Sequence, residues 1–346
     1  MKTVFDPRQL IHAPARELHN GGWAAYQESP DRAEAILKAV GPAIAARDFG
    51  MVPIAAVHDP AYLAFLQVAH RDWRAAGREG DAIAYAWPVV ARRDLDLARI
   101  DARLGRYSYD AGTPIMAHSW IAAYWSAQTA LTALDEVVQG SDGDVAFALC
   151  RPPGHHAGRD YLGGYCHLNN AAIVAADARR RGLGPVAILD VDYHHGNGTQ
   201  DIFYADPDMF FVSIHADPST DYPFYWGHAD ERGTGAATGT NLNLPLPRGT
   251  GWAAYEPALD RAIAAIIDHG ARCLVVSFGA DTFGGDPISH FAFEQGDFGR
   301  LAQRLGALGL PSVIVMEGGY ATAELGSNVA AFLAGYQRVH GSTTLA

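Results

Sequence analysis

Five short runs of almost continuously apolar residues constrain the fold of this chain more than any other feature. Each run is five or six residues long, and longer amphipathic segments separate one from the next. Strands that helices cover on both faces have this continuous apolar character, whereas half-exposed strands alternate. The pattern therefore predicts an α/β fold with a mainly parallel sheet. The predicted strands are residues 145–149, 186–191, 209–214, 273–278 and 312–316.

Helical periodicity lies between and before these runs. Asn169 and Asn170 can cap a helix that ends at Gly182, and Gly270 stands where another helix would stop. Residues 216–251 are rich in Gly, Pro, Thr and Asp and predict a long functional loop. A length of 346 residues alone allows two domains, but no linker divides the chain, so we expect a single domain over 1–346. The predicted helices are 30–40, 61–75, 171–180, 253–269, 299–306 and 323–336, with 92–106 a solvated helix or loop.

The charge balance bears on the choice of partner. Lys and Arg number 26 against 38 Asp and Glu, which gives a formal net charge of −12. Nucleic-acid binding relies on cationic side chains, so nucleic acid is not an expected partner, whereas an acidic field attracts a cationic small molecule. The three cysteines form no CxxC pair, and no apolar stretch has the length of a signal peptide or membrane span. We therefore expect a cytoplasmic protein without a membrane partner.

Polar side chains follow or end all five predicted strands. In open α/β sheets, ligands bind outside the carboxyl ends of the strands. Five strands therefore deliver polar groups to one edge of one sheet, and this convergence points to a site there. The residues concerned are His155 and His156 after the first strand, Asp190, Asp192 and His194 at the second, Ser213 in the third, Asp281 after the fourth and Tyr320 after the fifth.

Asp192 and His194 have the spacing of metal ligands. Residues i and i+2 of an extended chain project to the same side, so a carboxylate and an imidazole can bind one ion. Asp281 is a plausible third ligand from a neighbouring strand end. One His and two carboxylates with an open position suit a catalytic Zn²⁺ ion, with Fe²⁺ as the alternative occupant. The plainer reading, that Asp192 and His194 only cap a turn, loses weight beside Asp281 and the tandem histidines.

His155, His156 and Tyr320 have the chemistry of proton transfer and oxyanion binding. The two histidines can face one site only on an irregular loop, which the flanking RPPG and AG favour. Such a pair can provide a base and a charge-stabilising group. Tyr320 follows two glycines and can donate to a developing oxyanion, although a packed core tyrosine is an equally ordinary reading. Because GxSxG and a strand–GxGxxG–helix context are absent, a metal-activated water is the better nucleophile.

Six longer motifs resemble the zinc-dependent histone deacetylase superfamily, and within it the bacterial acetylpolyamine amidohydrolases. The resemblance extends over nearly the whole chain and implies the arginase-like three-layer α/β fold, with a mainly parallel sheet of about eight strands. It also implies hydrolysis of a linear acetyl amide to acetate and a free amine. The motifs are RPPGHHAG, GGYCHLNNAAI, ILDVDYHHGNGTQDIFY, SIHADP, GADTFGGDPIS and EGGY.

The resemblance also implies roles for individual residues. His156 would be the general base and acid, His155 its electrostatic neighbour, and Tyr320 the oxyanion donor. Asp190 would orient His155, and Asn197 stands where many family members have an Asp, which implies a less basic His156. One zinc per chain would bind Asp192, His194 and Asp281. Gly164, Tyr165 and Tyr222 would line the substrate channel, and a structural potassium ion would bind Asp190, Asp192, His194, Ser213 and Ile214.

The ureohydrolases share this fold but hold two manganese ions. Their second ion needs further aspartates, and the corresponding positions here are Gly196 and Phe283. Neither side chain can ligate a metal, so ureohydrolase activity is not expected.

The resemblance implies that an insertion over residues 81–119 forms a homodimer and narrows the mouth of the active site. A narrow mouth favours acetylated diamines such as acetylputrescine and acetylcadaverine over histones. Asp101 and Asp110 are the candidates for binding the distal ammonium group, although Gly112 stands where a carboxylate would be expected. Two alternatives stay open: a broader acyl-lysine or protein deacetylase, and a protein that binds acetylated amines without turnover.

Overall fold

The computed structural model describes residues 1–88, 95–140 and 145–340 and is built around one seven-stranded sheet. All neighbouring strands of this sheet are parallel, and their order is β1-β4-β9-β8-β5-β6-β7. A separate antiparallel hairpin contains β2 and β3. The strands are β1 (Lys2–Val4), β2 (Arg16–His19), β3 (Gly22–Ala25), β4 (Val145–Ala148), β5 (Val186–Asp190), β6 (Met209–Ala216), β7 (Asn241–Leu246), β8 (Cys273–Phe278) and β9 (Ser312–Met316).

Helices cover both faces of the sheet, as the apolar runs predict. In β5, Val186 and Ile188 pack against one layer of helices, while Ala187 and Leu189 pack against the other. The first layer contains α3, α5 and α6, and the second contains α1, α8, α9 and α10. The helices are α1 (Asp31–Val40), α2 (Val52–Ala55), α3 (Pro60–Ala75), α4 (Ile100–Arg106), α5 (Ser119–Gln139), α6 (Asn170–Arg180), α7 (Asn197–Phe203), α8 (Trp252–His269), α9 (Gln295–Gly306) and α10 (Thr322–His340).

The five predicted strands are the five inner strands of the sheet, and the predicted three-layer α/β fold is confirmed. The sheet has seven strands in the described residues, fewer than the eight expected. The two strands of this sheet that the sequence pattern missed, β1 and β7, are its edge strands. β7 lies inside residues 216–251, which were predicted to be loop throughout, and it carries Pro245 and two asparagines. Edge strands tolerate Pro and polar residues because one side of the ladder is unpaired.

The predicted helices are also present, with ends that differ by a few residues. Asn169 is the N-cap of α6, and its side chain accepts a hydrogen bond from Ala172 N. The longest helix, α5, was not predicted. It is buried on most sides, so apolar residues occur around its whole circumference and form no single stripe. Of the segment 92–106, residues 92–94 lie outside the described part of the chain, and α4 occupies its second half. Among the described residues, no helix is long and apolar enough to cross a lipid bilayer.

Candidate active site

The ends of β5 and β8 bring three metal-ligating side chains together. Asp192, His194 and Asp281 place one ligand atom each within 4.8 Å of the other two. His194 Nδ1 lies 3.0 Å from the Asp281 carboxylate and 3.4 Å from that of Asp192. Atoms that share one zinc ion at bond lengths of about 2 Å are separated by roughly the same spacing. The three side chains that the sequence predicted as ligands therefore lie at ligand spacing.

The surroundings of this cluster fit a divalent cation. Asp192 and Asp281 are fully buried, and repulsion between two buried carboxylates is offset when a cation binds. Burial and the charge of Asp192 raise the pKa of Asp281 to about 8. The backbone N–H group of Gly318 donates a hydrogen bond to the Asp192 carboxylate, and that of Tyr193 donates one to the Asp281 carboxylate. A Cβ atom at Gly318 would collide with both carboxylates, so the cluster needs glycine there.

The tandem histidines lie on the irregular loop after β4, and each is held through its Nδ1 atom. His155 Nδ1 lies 2.9 Å from Asp190 Oδ2, and His156 Nδ1 lies 2.7 Å from Asn197 Oδ1. An acceptor at Nδ1 leaves Nε2 as the unprotonated nitrogen in the neutral ring. Burial, with the charges of His155 and His194, lowers the pKa of His156 well below its ordinary value. His156 is therefore a neutral base that borders the cavity.

A loop after β9 presents Tyr320 to the same cavity. Burial raises the pKa of Tyr320 well above its ordinary value, so its phenol stays a hydrogen-bond donor. Asp286 accepts a hydrogen bond of 2.7 Å from Tyr320 N. The buried Arg32 donates to the carbonyl oxygens of Glu317 and Gly319, at 2.6 Å each. The sequence pattern did not single out Arg32 or Asp286. The position of Arg32 on the apolar face of a predicted helix could have indicated that its side chain is buried.

The cavity has a volume of about 420 Å³, which is the size of a small-molecule site. His156 and His194 border it at the metal cluster, and Tyr320 borders it beside them. Its walls include the three residues that the sequence placed in the channel, Gly164, Tyr165 and Tyr222. Gly164 packs so closely on the His156 ring that a Cβ atom would collide with it, and its φ of +54° also favours glycine.

The two aspartates that the sequence proposed for ammonium binding lie in different places. Asp110 borders the cavity, but it accepts hydrogen bonds from Gly164 N at 2.6 Å and from the Tyr222 hydroxyl at 2.7 Å. Asp101 is not among the described residues that line the cavity. It lies on α4 and forms ion pairs of 2.7 Å with Arg78 and Arg99. Asp101 therefore lies away from this cavity, and two arginines pair with its carboxylate.

Glu17 is an acidic wall residue that the sequence pattern missed. It lies on β2, borders the cavity and is only 2% exposed. Its Oε1 accepts a hydrogen bond of 3.0 Å from the Tyr165 hydroxyl, and its Oε2 has no hydrogen-bond partner among the described residues. Burial raises its pKa to about 7, although the Tyr165 hydrogen bond works against this. β2 lies far along the chain from the strand ends that carry the other site residues, so the sequence did not indicate this position of Glu17.

The residues expected to bind potassium also lie beside the cluster. Asp190 on β5 and Ser213 on β6 are partners in the strand register, and Ile214 follows Ser213. Asp190 Oδ1 accepts a hydrogen bond from Asp192 N, while the Ser213 hydroxyl lies 2.8 Å from His215 Nδ1.

Comparisons with known proteins agree with this fold. The sequence pattern of the histone deacetylase domain matches residues 26–336. Acetylpolyamine amidohydrolase 2 of Pseudomonas aeruginosa is 48% identical over 345 residues, which cover 98% of this chain and 100% of that protein. Acetylpolyamine amidohydrolase of Mycoplana ramosa is 42% identical and covers 97% of this chain and 99% of its own length. A crystal structure of acetylpolyamine aminohydrolase from Burkholderia pseudomallei matches with a TM-score of 0.93 at 43% identity, over 98% of this chain and 99% of that chain.

The family match spans most of the chain, and the relatives are similar over nearly their full lengths. The chain therefore belongs to the histone deacetylase family of amide-hydrolysing enzymes.

Proposed function

We propose that this enzyme is a zinc-dependent amidohydrolase that removes acetyl groups from slender N-acetylated diamines and polyamines, such as acetylputrescine and acetylcadaverine. The main support is the arrangement of a metal-ligand cluster, a neutral histidine and a phenol around one cavity. The names of the relatives, acetylpolyamine amidohydrolases, favour the same substrate class.

Each side chain has a distinct part in the proposed reaction. The Tyr320 hydroxyl donates a hydrogen bond to the acetyl oxygen as negative charge develops there. His156 Nε2 accepts a proton from the attacking water and later donates it to the leaving amine. His155, held by Asp190, is the electrostatic neighbour of His156 at a ring-centroid distance of 4.0 Å. Burial and the charge of His155 lower the pKa of His156, so that His156 readily gives its proton to the leaving amine. Asn197 holds His156 Nδ1, so that Nε2 is the nitrogen that exchanges the proton.

The metal ion would bind Asp192, His194 and Asp281, and when bound it supplies a Lewis acid for the amide carbonyl and for water. One histidine and two carboxylates suit Zn²⁺, and the two oxygen ligands leave Fe²⁺ as the alternative. We extend the proposal to a structural potassium ion at Asp190, Ser213 and the nearby backbone carbonyl groups.

The acidic wall favours a cationic amine. Glu17 has one oxygen without a hydrogen-bond partner in the described residues, and Tyr165 lies between it and Tyr320, with a ring-centroid distance of 5.6 Å between the two tyrosines. An ammonium group that reaches Glu17 beyond the Tyr165 ring would supply the missing hydrogen bond and a charge interaction. A slender diamine can place its acetyl group at Tyr320 and its ammonium group near Glu17.

A kinetic comparison tests the substrate class. We expect kcat/KM for N-acetylputrescine or N-acetylcadaverine to exceed that for an acetyl-lysine peptide, because Glu17 on the cavity wall can bind the free ammonium group of the diamine. The measurement is acetate release across a panel of acetylated amines of graded length, with acetyl-lysine peptides alongside. A higher value for the peptides would favour the broader deacylase. Binding without acetate release would favour the non-catalytic protein.

The Glu17→Gln variant is the control for charge recognition. It keeps an acceptor for Tyr165 but removes the negative charge, so KM for acetylputrescine should rise about tenfold. KM for the neutral N-acetylbutylamine should stay within about twofold. With a raised pKa of about 7, Glu17 is neutral below that pH and charged above it, so KM for the cation should fall as pH rises from 6 to 8. Equal changes for both substrates would contradict a role of the charge.

We also propose that the insertion over residues 81–119 supports a homodimer. Tyr85 and Leu95 lie in it and are 67% and 48% exposed. Large exposed apolar side chains in one segment are typical of an interface. Light scattering should give twice the chain mass of 37.0 kDa. The Tyr85→Asp, Leu95→Asp double variant should shift the protein towards monomer, while Val52→Asp, at a site that is 76% exposed, should not. A monomeric wild-type protein at micromolar concentration would contradict this proposal.

A further inference from the structure

Tyr109 lies beside the active-site cavity and takes no part in the reaction steps above. Its hydroxyl donates a hydrogen bond of 3.3 Å to Asn197 Oδ1, the same oxygen that accepts from His156 Nδ1. Its ring contacts those of Tyr161 and Trp226, each at a centroid distance of 5.5 Å. These contacts hold the Tyr109 hydroxyl against the Asn197 amide.

The two ends of the Asn197 amide face different partners. The oxygen faces His156 and Tyr109, whereas Nδ2 lies 3.5 Å from the Tyr161 hydroxyl oxygen. Tyr161 donates its own hydrogen to Asp201 at 2.6 Å, and its oxygen accepts from Asn197. All three partners of the amide therefore match the orientation in which its oxygen faces His156.

A chain of hydroxyl groups leads from Asp110 to this amide. Asp110 contacts Tyr222, Tyr222 contacts Tyr109, and Tyr109 contacts Asn197. Tyr222 donates a hydrogen bond of 2.7 Å to Asp110, and Tyr109 donates its own hydrogen to Asn197 Oδ1 at 3.3 Å. The contact with Tyr222 therefore helps to fix the position of the Tyr109 hydroxyl beside Asn197.

We infer that Tyr109 is a positioning residue for the deacetylation reaction, which it serves by holding the Asn197 amide with its oxygen towards His156. This inference rests on the proposed role of His156 as the base. An amide reversed by 180° would present N–H groups to His156 Nδ1. Nδ1 would then have to be the unprotonated nitrogen, and Nε2 would carry the hydrogen and could not accept a proton.

The test is a double-mutant cycle between Tyr109→Phe and Asn197→Asp. Phenylalanine keeps the ring contacts and removes only the hydroxyl. In the native background we expect kcat to fall about tenfold, as for the loss of one functional hydrogen bond, with KM nearly unchanged. A carboxylate presents an oxygen in both orientations, so in the Asn197→Asp background Tyr109→Phe should change kcat less than about twofold.

Tyr107→Phe is the matched control, because it removes a hydroxyl from the same segment, where the ring packs on Phe65. It should leave kcat unchanged. Equal losses of kcat from Tyr109→Phe in both backgrounds would mark a packing effect and overturn the inference, and so would the absence of a loss in the native background. The cycle can use any acetyl amide that the wild-type enzyme hydrolyses, so its outcome is independent of the proposed diamine substrates. A His156→Ala variant of undiminished activity would instead contradict the proposed mechanism itself.

Discussion

Replacing Tyr320 by Phe should lower kcat by about 100- to 1,000-fold, with little change in KM. Loss of a single oxyanion donor has this effect in amide-hydrolysing enzymes, because the hydrogen bond is strongest in the transition state. The phenylalanine ring can keep the packing on Tyr165 and the contact with the Arg32 guanidinium, whose carbon lies 4.9 Å from the ring centroid. The measurement is the steady-state rate of acetate release by the purified variant.

Tyr336→Phe is the matched control for this variant. Tyr336 is another fully buried tyrosine, and its hydroxyl donates to Ser312 in the core, away from the cavity. Its loss should cost about 1 kcal/mol of the free energy of unfolding and leave kcat unchanged. Near-normal activity of Tyr320→Phe, or an equal loss of kcat in the two variants, would contradict the assignment of Tyr320 as the oxyanion donor.

Removal of the bound metal should lower turnover by at least about 1,000-fold, and added Zn²⁺ should restore it. The expected size follows from the several kcal/mol that a Lewis acid contributes to the transition state. Asp281→Ala should lose both activity and metal, because it removes one of the three ligand side chains. The measurements are activity after dialysis against a chelator and elemental analysis of each protein. The same analysis counts potassium, which the proposed structural site requires.

Asp260→Ala is the control for the metal experiment. Asp260 is half exposed and pairs with Arg304 on the surface, so the variant should keep its metal and its activity. Full activity at a metal content far below one per chain would contradict the proposed metal dependence. A content near two per chain would indicate the binuclear chemistry of the ureohydrolases.

The inner part of the fold was predictable because its strands are buried on both faces. Residues 273–278 and 312–316 form β8 and β9 with the bounds that the apolar runs predict. The edge strand β7 and the helix α5 were missed for opposite reasons. β7 carries Pro245, which its unpaired outer edge tolerates, and two buried asparagines that donate to Gln200. By contrast, α5 is apolar on nearly every side and shows no periodic stripe.

The cluster of polar side chains at the strand ends was predictable for a related reason. Parallel strands place their carboxyl ends at one edge of the sheet, so Asp192, His194 and Asp281 had to lie near one another once the strands were known. The walls of the cavity follow no such rule. Asp101 and Asp110 are equally plausible in sequence, but α4 turns Asp101 towards Arg78 and Arg99, while Asp110 faces the cavity.

The sequence by itself determined the α/β layers, the family resemblance and the residues at the strand ends. These features depend on short segments of sequence, because strands buried on both faces are continuously apolar and polar residues follow their carboxyl ends. Only the tertiary structure decided that Glu17 and Tyr109 belong to the site. Both come from segments far from the strand ends along the chain, the hairpin β2–β3 and the loop after α4. Their contacts with Tyr165 and Asn197 depend on how those segments pack across the sheet edge, and no local pattern of residues encodes that packing.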